Sequence, residues 1–376
     1  EPGPRWKRIA QEQAVSRGGD QPIDGAVSRF HPFHNDAPGE YRGTQISLFS
    51  NRIRGYFEGQ QLSGVANQAG MELQGIQVTM GVNHARGPVR GGQMAFGINW
   101  ASDVLRGVQI SSGINYAGSM ADALQVTGFL NVARGDGQGM QGATFLNAAT
   151  SDLDGGQAAI FLNTVGGDLD GGHFAVGANL VRGDVRGAQI SSINFAAGTV
   201  EGYQIGFLNV ARSYRSGAPL GILNFVGDGV WRGDAWVDET GFAHLGLVSG
   251  TKHVNTRLAL GSKTLSNRDL GSFSVEVAGH LPMRLAFLEL GLMSTLIGSE
   301  GERASDDMPD FLQRLRLTTG LNLGRYVSLA GGLSWAAAVV PEGHRPWTDG
   351  NWMQTSSFGG RLHQWPGAHL SLRIGR

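Results

Sequence analysis

The sequence predicts an all-β chain in two parts: a parallel β-solenoid of about twelve coils, then an antiparallel domain expected to close into a small eight-stranded outer-membrane β-barrel. Three observations point there. An asparagine recurs every sixteen residues through the first half, sixty glycines occur without a Gly-X-Y period, and a strict two-residue alternation sets in after Asn224. A fixed period of that length marks repeat architecture, in which one short unit stacks on its neighbours. So much glycine would otherwise suit collagen or a chain without a core, but collagen needs its three-residue period and 41% hydrophobic residues argue against the second.

Residues 1–42 read as a polar N-terminal linker, and the repeat fills about 43–229. Its asparagines are Asn51, Asn67, Asn83, Asn99, Asn115, Asn131, Asn147, Asn163 and Asn179, then Asn194, Asn209 and Asn224 as the step tightens to fifteen. A glutamine leads each unit, six residues ahead from Gln45 to Gln157; His173 takes the ninth place, and Gln189 and Gln204 resume the column. With that glutamine as position zero, position one is mostly apolar (Ile46, Leu62, Val78), two is small (Ser47, Ser63, Thr79) and five is apolar (Val82, Ile98, Ile114). Position eight is mostly Ala (Ala69, Ala85, Ala101), and fourteen is Gly (Gly59, Gly75).

Alternation puts positions one, three and five on one face of a strand, and their apolar character predicts that this face points into the coil. Position eight has the opposite parity, so a bend is expected beside the asparagine. Each unit then reads as strand, bend, short strand and glycine turn, and twelve coils about 4.8 Å apart make a stack on the order of 58 Å. Glycine at fourteen allows the positive φ of a tight corner. Stacked asparagines can exchange amide hydrogen bonds, relieving polar groups that would each cost about 1 to 3 kcal/mol if buried alone. All twelve are therefore candidate ladder residues, and His173, in the glutamine column, is expected to be a surface substitution.

A second column is acidic: Asp136, Asp152, Asp168 and Asp184 align, with Asp154 and Asp170 two places on. Stacking brings these like charges close together. Either water and the neighbouring Arg134, Arg182 and Arg186 offset them, or a cation does; Ca²⁺ suits oxygen-rich glycine corners, with Asp152, Asp154, Asp168 and Asp170 as candidate ligands.

From 230 to 376 the period is two. In "LRLTTGLNL", Leu315, Leu317 and Leu321 alternate with Arg316, Thr318 and Gly320; Phe273, Val275 and Val277 alternate with Ser274 and Glu276. About eight strands are expected, near 231–238, 241–249, 254–262, 272–281, 283–297, 311–323, 326–340 and 369–375. Their connectors alternate between tight ("GTKH", "LPM", "GR") and long ("SKTLSNRDLG", "GSEGERASDDMPD", Pro341 to Gly367). A transmembrane barrel produces that alternation, with short periplasmic turns and long outer loops. A soluble sheet or a cap on the solenoid would alternate in the same way, and Arg376 is not the terminal aromatic usual in such barrels.

The units "GAQISSINFAAGTVEGYQIGFLNVA" resemble the surface-repeat proteins of Gram-negative bacteria, whose units read G-x-Q-I-G-x-x-N-x-A. The likeness covers about half the chain. It implies an envelope location, with outer-membrane lipid, other envelope components or glycans as partners, and almost no chemistry. "ETGFAHLGLVSGTKHVNTRLALG" looks like the barrel-like segment that follows such repeats in some members.

Net charge near zero gives no electrostatic case for nucleic acid. The lack of cysteine removes disulfides, thiolate metal sites and thiol catalysis, and no apolar run is long enough for a membrane helix. The opening "EPGPRWKRIAQEQ", without Met or an apolar segment, is compatible with a processed mature chain. No nucleophile elbow, phosphate loop or zincin helix is present. "HPFHND", with His31, His34 and Asp36, is the only local metal-like cluster and reads first as polar linker. "RPWTDGNW", in the longest loop, offers Trp347 and Trp352 for stacking on a sugar ring or for ordering the loop itself. The expectation is a non-catalytic structural protein of the outer membrane or cell surface. The alternatives are a secreted adhesin or glycan-binding solenoid, and a carbohydrate-active enzyme using Asp152, Asp154, Asp168 and Asp170.

Overall fold

The computed structural model describes residues 27–265, 268–300, 310–341, 353–357 and 360–375. Every regular element among them is a β-strand. A parallel solenoid of about eleven turns is followed by a closed antiparallel barrel of eight strands. The chain divides into two compact units, Glu1–Gly198 and Thr199–Arg376.

One coil shows how the repeat folds. Phe57–Ser63 forms a strand, Gly64 and Val65 bend the chain, Ala66–Ala69 forms a second strand, and residues 70–72 turn it into Leu73–Thr79 of the next coil. Neighbouring coils pair in parallel and in strict register, with Phe57 against Leu73, Gln61 against Gln77 and Asn67 against Asn83. The stack begins before residue 43: Val27 pairs with Gly43 and Asn35 with Asn51. Part of the expected linker is therefore a first coil, which the irregular spelling "VSRFHPFHNDA" hides, since Arg29 stands where the column asks for Gln.

The parity reading of the sequence is overturned. Gln61, Asn67, Ala69 and Leu73 are buried, whereas Leu62 and Val65 are exposed. Positions zero, two, six, eight and twelve point inward, so the two strands of a coil share even parity, while position four at the bend and position ten at the turn, such as Val65 and Met71, face out. The bend itself lies just ahead of the asparagine, at positions three and four. Hydrophobicity alone would turn position one inward; the interior instead holds amides that bond to one another, and the apolar columns are left outside.

Glycine at position fourteen sits within the longer strand, not at a corner. From Gly43 to Gly187 these glycines have φ between 128° and 142°, where an L side chain is strained. A Cβ on Gly75 would strike the carbonyl oxygen of Gly59 in the coil below. Ala123 is the exception, and there Asp122, its neighbour, takes the positive φ instead, at 53°.

The barrel strands are Val230–Asp238, Ala243–Gly250, Val254–Leu265, Arg268–Pro282, Ala286–Glu300, Asp310–Asn322, Val327–Pro341 and Gly360–Gly375. Each pairs antiparallel with the next, and Asp234 against Arg373 closes the wall. Met353–Ser357 adds a short hairpin strand to the start of the last one. The tight turns 251–253, 283–285 and 323–326 share one end with Val230 and Gly375, since Arg232 faces Gly375. The strand ends Glu300, Asp310, Pro341 and Gly360 lie at the opposite end.

Candidate functional site

Two built interiors stand out, the amide-lined core of the coils and the charged lumen of the barrel. In the coils, Asn51 Nδ2 donates to Asn67 Oδ1 at 3.0 Å and also reaches the carbonyls of Gln45 and Leu62. The same donation repeats from Asn35 through Asn194, each at 2.8 to 3.0 Å. Asn209 donates to Asn224 at 2.8 Å. Each amide thus stitches its bend to its own longer strand and to the next coil.

The glutamines form a second ladder of opposite sense. Gln61 Nε2 donates back to Gln45 Oε1, and so on to Gln157, which donates to Gln141 at 2.6 Å. Asparagine amides point up the stack and glutamine amides point down it, so their dipoles oppose each other and leave the core without a large axial field. Polar residues are tolerated in a buried column only when donors find acceptors, and stacking supplies these along the column except at its start, where Gln45 Nε2 has no acceptor, and at His173.

His173 breaks the second ladder. It is fully buried, not a surface substitution. Neither ring nitrogen has a partner, and Gln157 Oε1 has lost the donor that a glutamine would have offered. Burial pulls the imidazole from its ordinary 6.5 down to about 3.

The acidic column resolves without a cation. Asp152 Oδ1 accepts the backbone N–H of Asp168 at 2.8 Å, Asp168 Oδ1 accepts that of Asp184 at 2.7 Å, and Asp136 Oδ1 accepts the Ser151 hydroxyl at 2.6 Å. Each of these carboxylates spends an oxygen on the next coil. Asp154 and Asp170 are exposed and lie opposite each other in the strand register, with Arg186 opposite Asp170 on the next coil. Among the described residues no group of three acidic or imidazole side chains could hold a metal ion, so the Ca²⁺ assignment to Asp152, Asp154, Asp168 and Asp170 has no site to rest on. His31, His34 and Asp36 are dispersed as well: His31 Nδ1 accepts two backbone N–H groups, His34 meets Ser50, and Asp36 pairs with Arg54 at 3.1 Å. Trp347 and Trp352 lie outside the described residues.

The barrel lumen carries residues that sequence reasoning did not single out. Ala286–Glu300 shows the plan: Phe287, Glu289, Met293, Thr295 and Ile297 are buried, while Leu288, Leu290, Leu292 and Leu296 are exposed. Four buried arginines (Arg257, Arg314, Arg316, Arg373) face four buried carboxylates (Asp234, Asp238, Glu276, Glu289), leaving the described lumen neutral. Arg257 reaches Asp234 at 2.9 Å and Glu276 and Glu289 besides; Arg373 joins Asp234 at 3.3 Å and Glu289 at 2.7 Å. Arg316 holds Glu276 at 3.2 Å and Arg314 holds Asp238 at 3.0 Å. The guanidinium groups of Arg257 and Arg316 lie against the Trp236 ring, adding cation–π contact. Towards the long-loop end, Phe242, Leu270, Ile297, Leu312 and Trp365 pack into an apolar plug. At the short-turn end the last ladder rung enters the wall, with Asn224 Nδ2 donating to Thr256 Oγ1 at 2.9 Å. An eight-stranded interior is just wide enough for side chains to fill, and here they do. The signal was present in the sequence, since Glu276, Glu289 and Arg316 fall on the polar phase of the two-residue alternation.

The chain matches no protein-family model and no curated protein.

Proposed function

We propose that the chain is a non-catalytic structural protein of a bacterial outer envelope, held in the outer membrane by its barrel, with the coils on the side of the short turns. The observation that carries this reading is the inversion of the barrel: leucines line its outer wall and ion pairs fill its lumen. A barrel folded in water gains about 1.5 to 3 kcal/mol for each leucine turned inward, whereas a lipid solvent rewards the reverse arrangement. A lumen packed with neutralised charges and closed by an apolar plug suits an anchor, not a pore. In outer-membrane barrels the short turns face the periplasm. The three residues 227–229 join the last coil to Val230 at that end, so the solenoid is periplasmic in this reading.

The test uses a chain with no native cysteine. Expressed with an export signal, it should fractionate with outer membranes and run faster on gels unheated than boiled. In intact cells an impermeant maleimide should label Ser305→Cys in the 301–309 connection, and should label Ser102→Cys in the solenoid only after permeabilisation. Recovery as a detergent-independent soluble protein would overturn the membrane assignment; labelling of Ser102→Cys in intact cells would overturn the orientation.

A further inference from the structure

The coils also carry a surface with no assigned partner. From 44–50 through 172–178, the seven residues around each bend contain no Asp, Glu, Lys or Arg, and every charged residue of the repeat lies at the remaining positions. The result is an apolar band along one side of the stack, with side chains at its crest such as Met80, Phe96 and Val176 left 74%, 72% and 68% exposed. Phe129, Phe145 and Phe161 form a file in the same band, the first pair stacked and the second tilted, with ring centroids 5.1 and 4.9 Å apart.

The crest has a regular relief. Each bend has two positions, and in six of nine coils one is large and apolar while the other is small: Gly64–Val65, Met80–Gly81, Phe96–Gly97, Gly128–Phe129, Thr144–Phe145 and Val176–Gly177. Ser112–Gly113 is small at both, and Leu48–Phe49 and Ile160–Phe161 are large at both. Backbone crowding explains the glycines, because a Cβ on Gly81 or Gly97 would strike a carbonyl oxygen of the coil below. It does not explain why the companion position is a bare Met, Phe or Val.

We propose that this band is the interface of a parallel homodimer, a second copy of the chain packing against it about a twofold axis along the stack. Such an axis brings the first bend position of one copy over the second position of its partner in the same coil, so in six of the nine coils the large residue meets a glycine or threonine, while the Leu48–Phe49 and Ile160–Phe161 bends set large against large. The surface is complementary to itself, as a twofold interface requires. Nine steps of about 4.8 Å and a width of roughly 15 to 20 Å give on the order of 800 Å² per copy, about what a stable interface buries on each partner. A lipid leaflet would accept any apolar relief and calls for no such alternation. This inference does not depend on the membrane reading.

Single-cysteine variants of the full chain test it. Under mild oxidation in the cells that produce the protein, Ser112→Cys and Thr144→Cys should each give disulfide-linked dimers, while Asp154→Cys on the charged side should give none. In amphipol the purified chain should have the mass of two copies, and Phe129→Glu should raise the dimer dissociation constant at least about tenfold. If Phe129→Glu fails to fold, the cross-links decide alone. Linking at Ser112→Cys but not at Thr144→Cys would mean antiparallel pairing and overturn the axis. Monomer mass without cross-links would overturn the dimer. So would an environment-sensitive dye on the S112C thiol that shifts only with phospholipid vesicles, which would make lipid the occupant.

Discussion

Replacing His173 by glutamine should stabilise the coils, and more so in acid. In the native chain two buried ring nitrogens and Gln157 Oε1 are left without partners. Gln at 173 restores the donor to Gln157 and removes both orphans, which is worth about 1 to 3 kcal/mol at neutral pH. The pH dependence has a definite sign. The folded imidazole stays neutral down to about 3, whereas the unfolded one takes a proton near 6.5. Below pH 6.5 the unfolded state therefore binds more protons, and native stability falls as pH drops towards 3. At pH 5 the loss relative to pH 7 is about 2 kcal/mol, from roughly 1.4 kcal/mol per unit. The variant has no such group, so its advantage should grow from about 1 to 3 kcal/mol at pH 7 to about 3 to 5 at pH 5. Hydrogen exchange followed by mass spectrometry over peptides spanning 157–189 reads this directly, and protection factors should rise roughly 5- to 150-fold at neutral pH. Faster exchange in His173→Gln than in the native chain, or a ratio that does not change with pH, would refute the reasoning.

Other substitutions probe the remaining contacts. Asn131→Ala removes links to both neighbouring coils and should cost about 2 to 4 kcal/mol, against about 1 to 2 for Asn35→Ala in the first coil; equal shifts in urea midpoint would count against a cooperative ladder. Gly75→Ala forces a side chain onto positive φ and into the Gly59 carbonyl, for a loss of about 2 to 4 kcal/mol read from the same titration. Glu289→Leu leaves Arg257 and Arg373 short of an acceptor in the lumen and should cost about 3 to 5 kcal/mol, seen as a lower temperature at which the compact gel band disappears. An unchanged transition there would mean that water, not Glu289, balances those arginines.

The period of the repeat, the register of the coils and the ladder asparagines were all readable from the spacing of Asn51, Asn67 and their successors, because stacking translates a fixed step directly into contact. The inside of the coil was not readable from hydrophobicity. Ile46 and Leu62 look like core and face out; Gln45 and Gln61 look like surface and are wholly buried. The rule that apolar residues go inside assumes that buried amides lack partners, and a stack of identical coils removes that cost. Asn35 was missed because its coil lacks the leading glutamine. In the barrel the alternation of Leu315, Arg316 and Leu317 fixed which residues share a face, but only closure of the wall decides which face is the lumen. The pairing of Arg257 with Asp234, Glu276 and Glu289 comes from strands far apart in sequence, and no local pattern encodes it.

The meeting of Asn224 with Thr256 has a bearing on self-association. A pile of parallel strands that ends in a bare layer presents a row of unsatisfied backbone groups, onto which another molecule can graft itself and grow a fibre. Here the N–H of Asn224 is taken by the Ser249 hydroxyl and its side chain by Thr256. The barrel wall thus occupies polar groups of the last rung that would otherwise be open to a second copy of the chain.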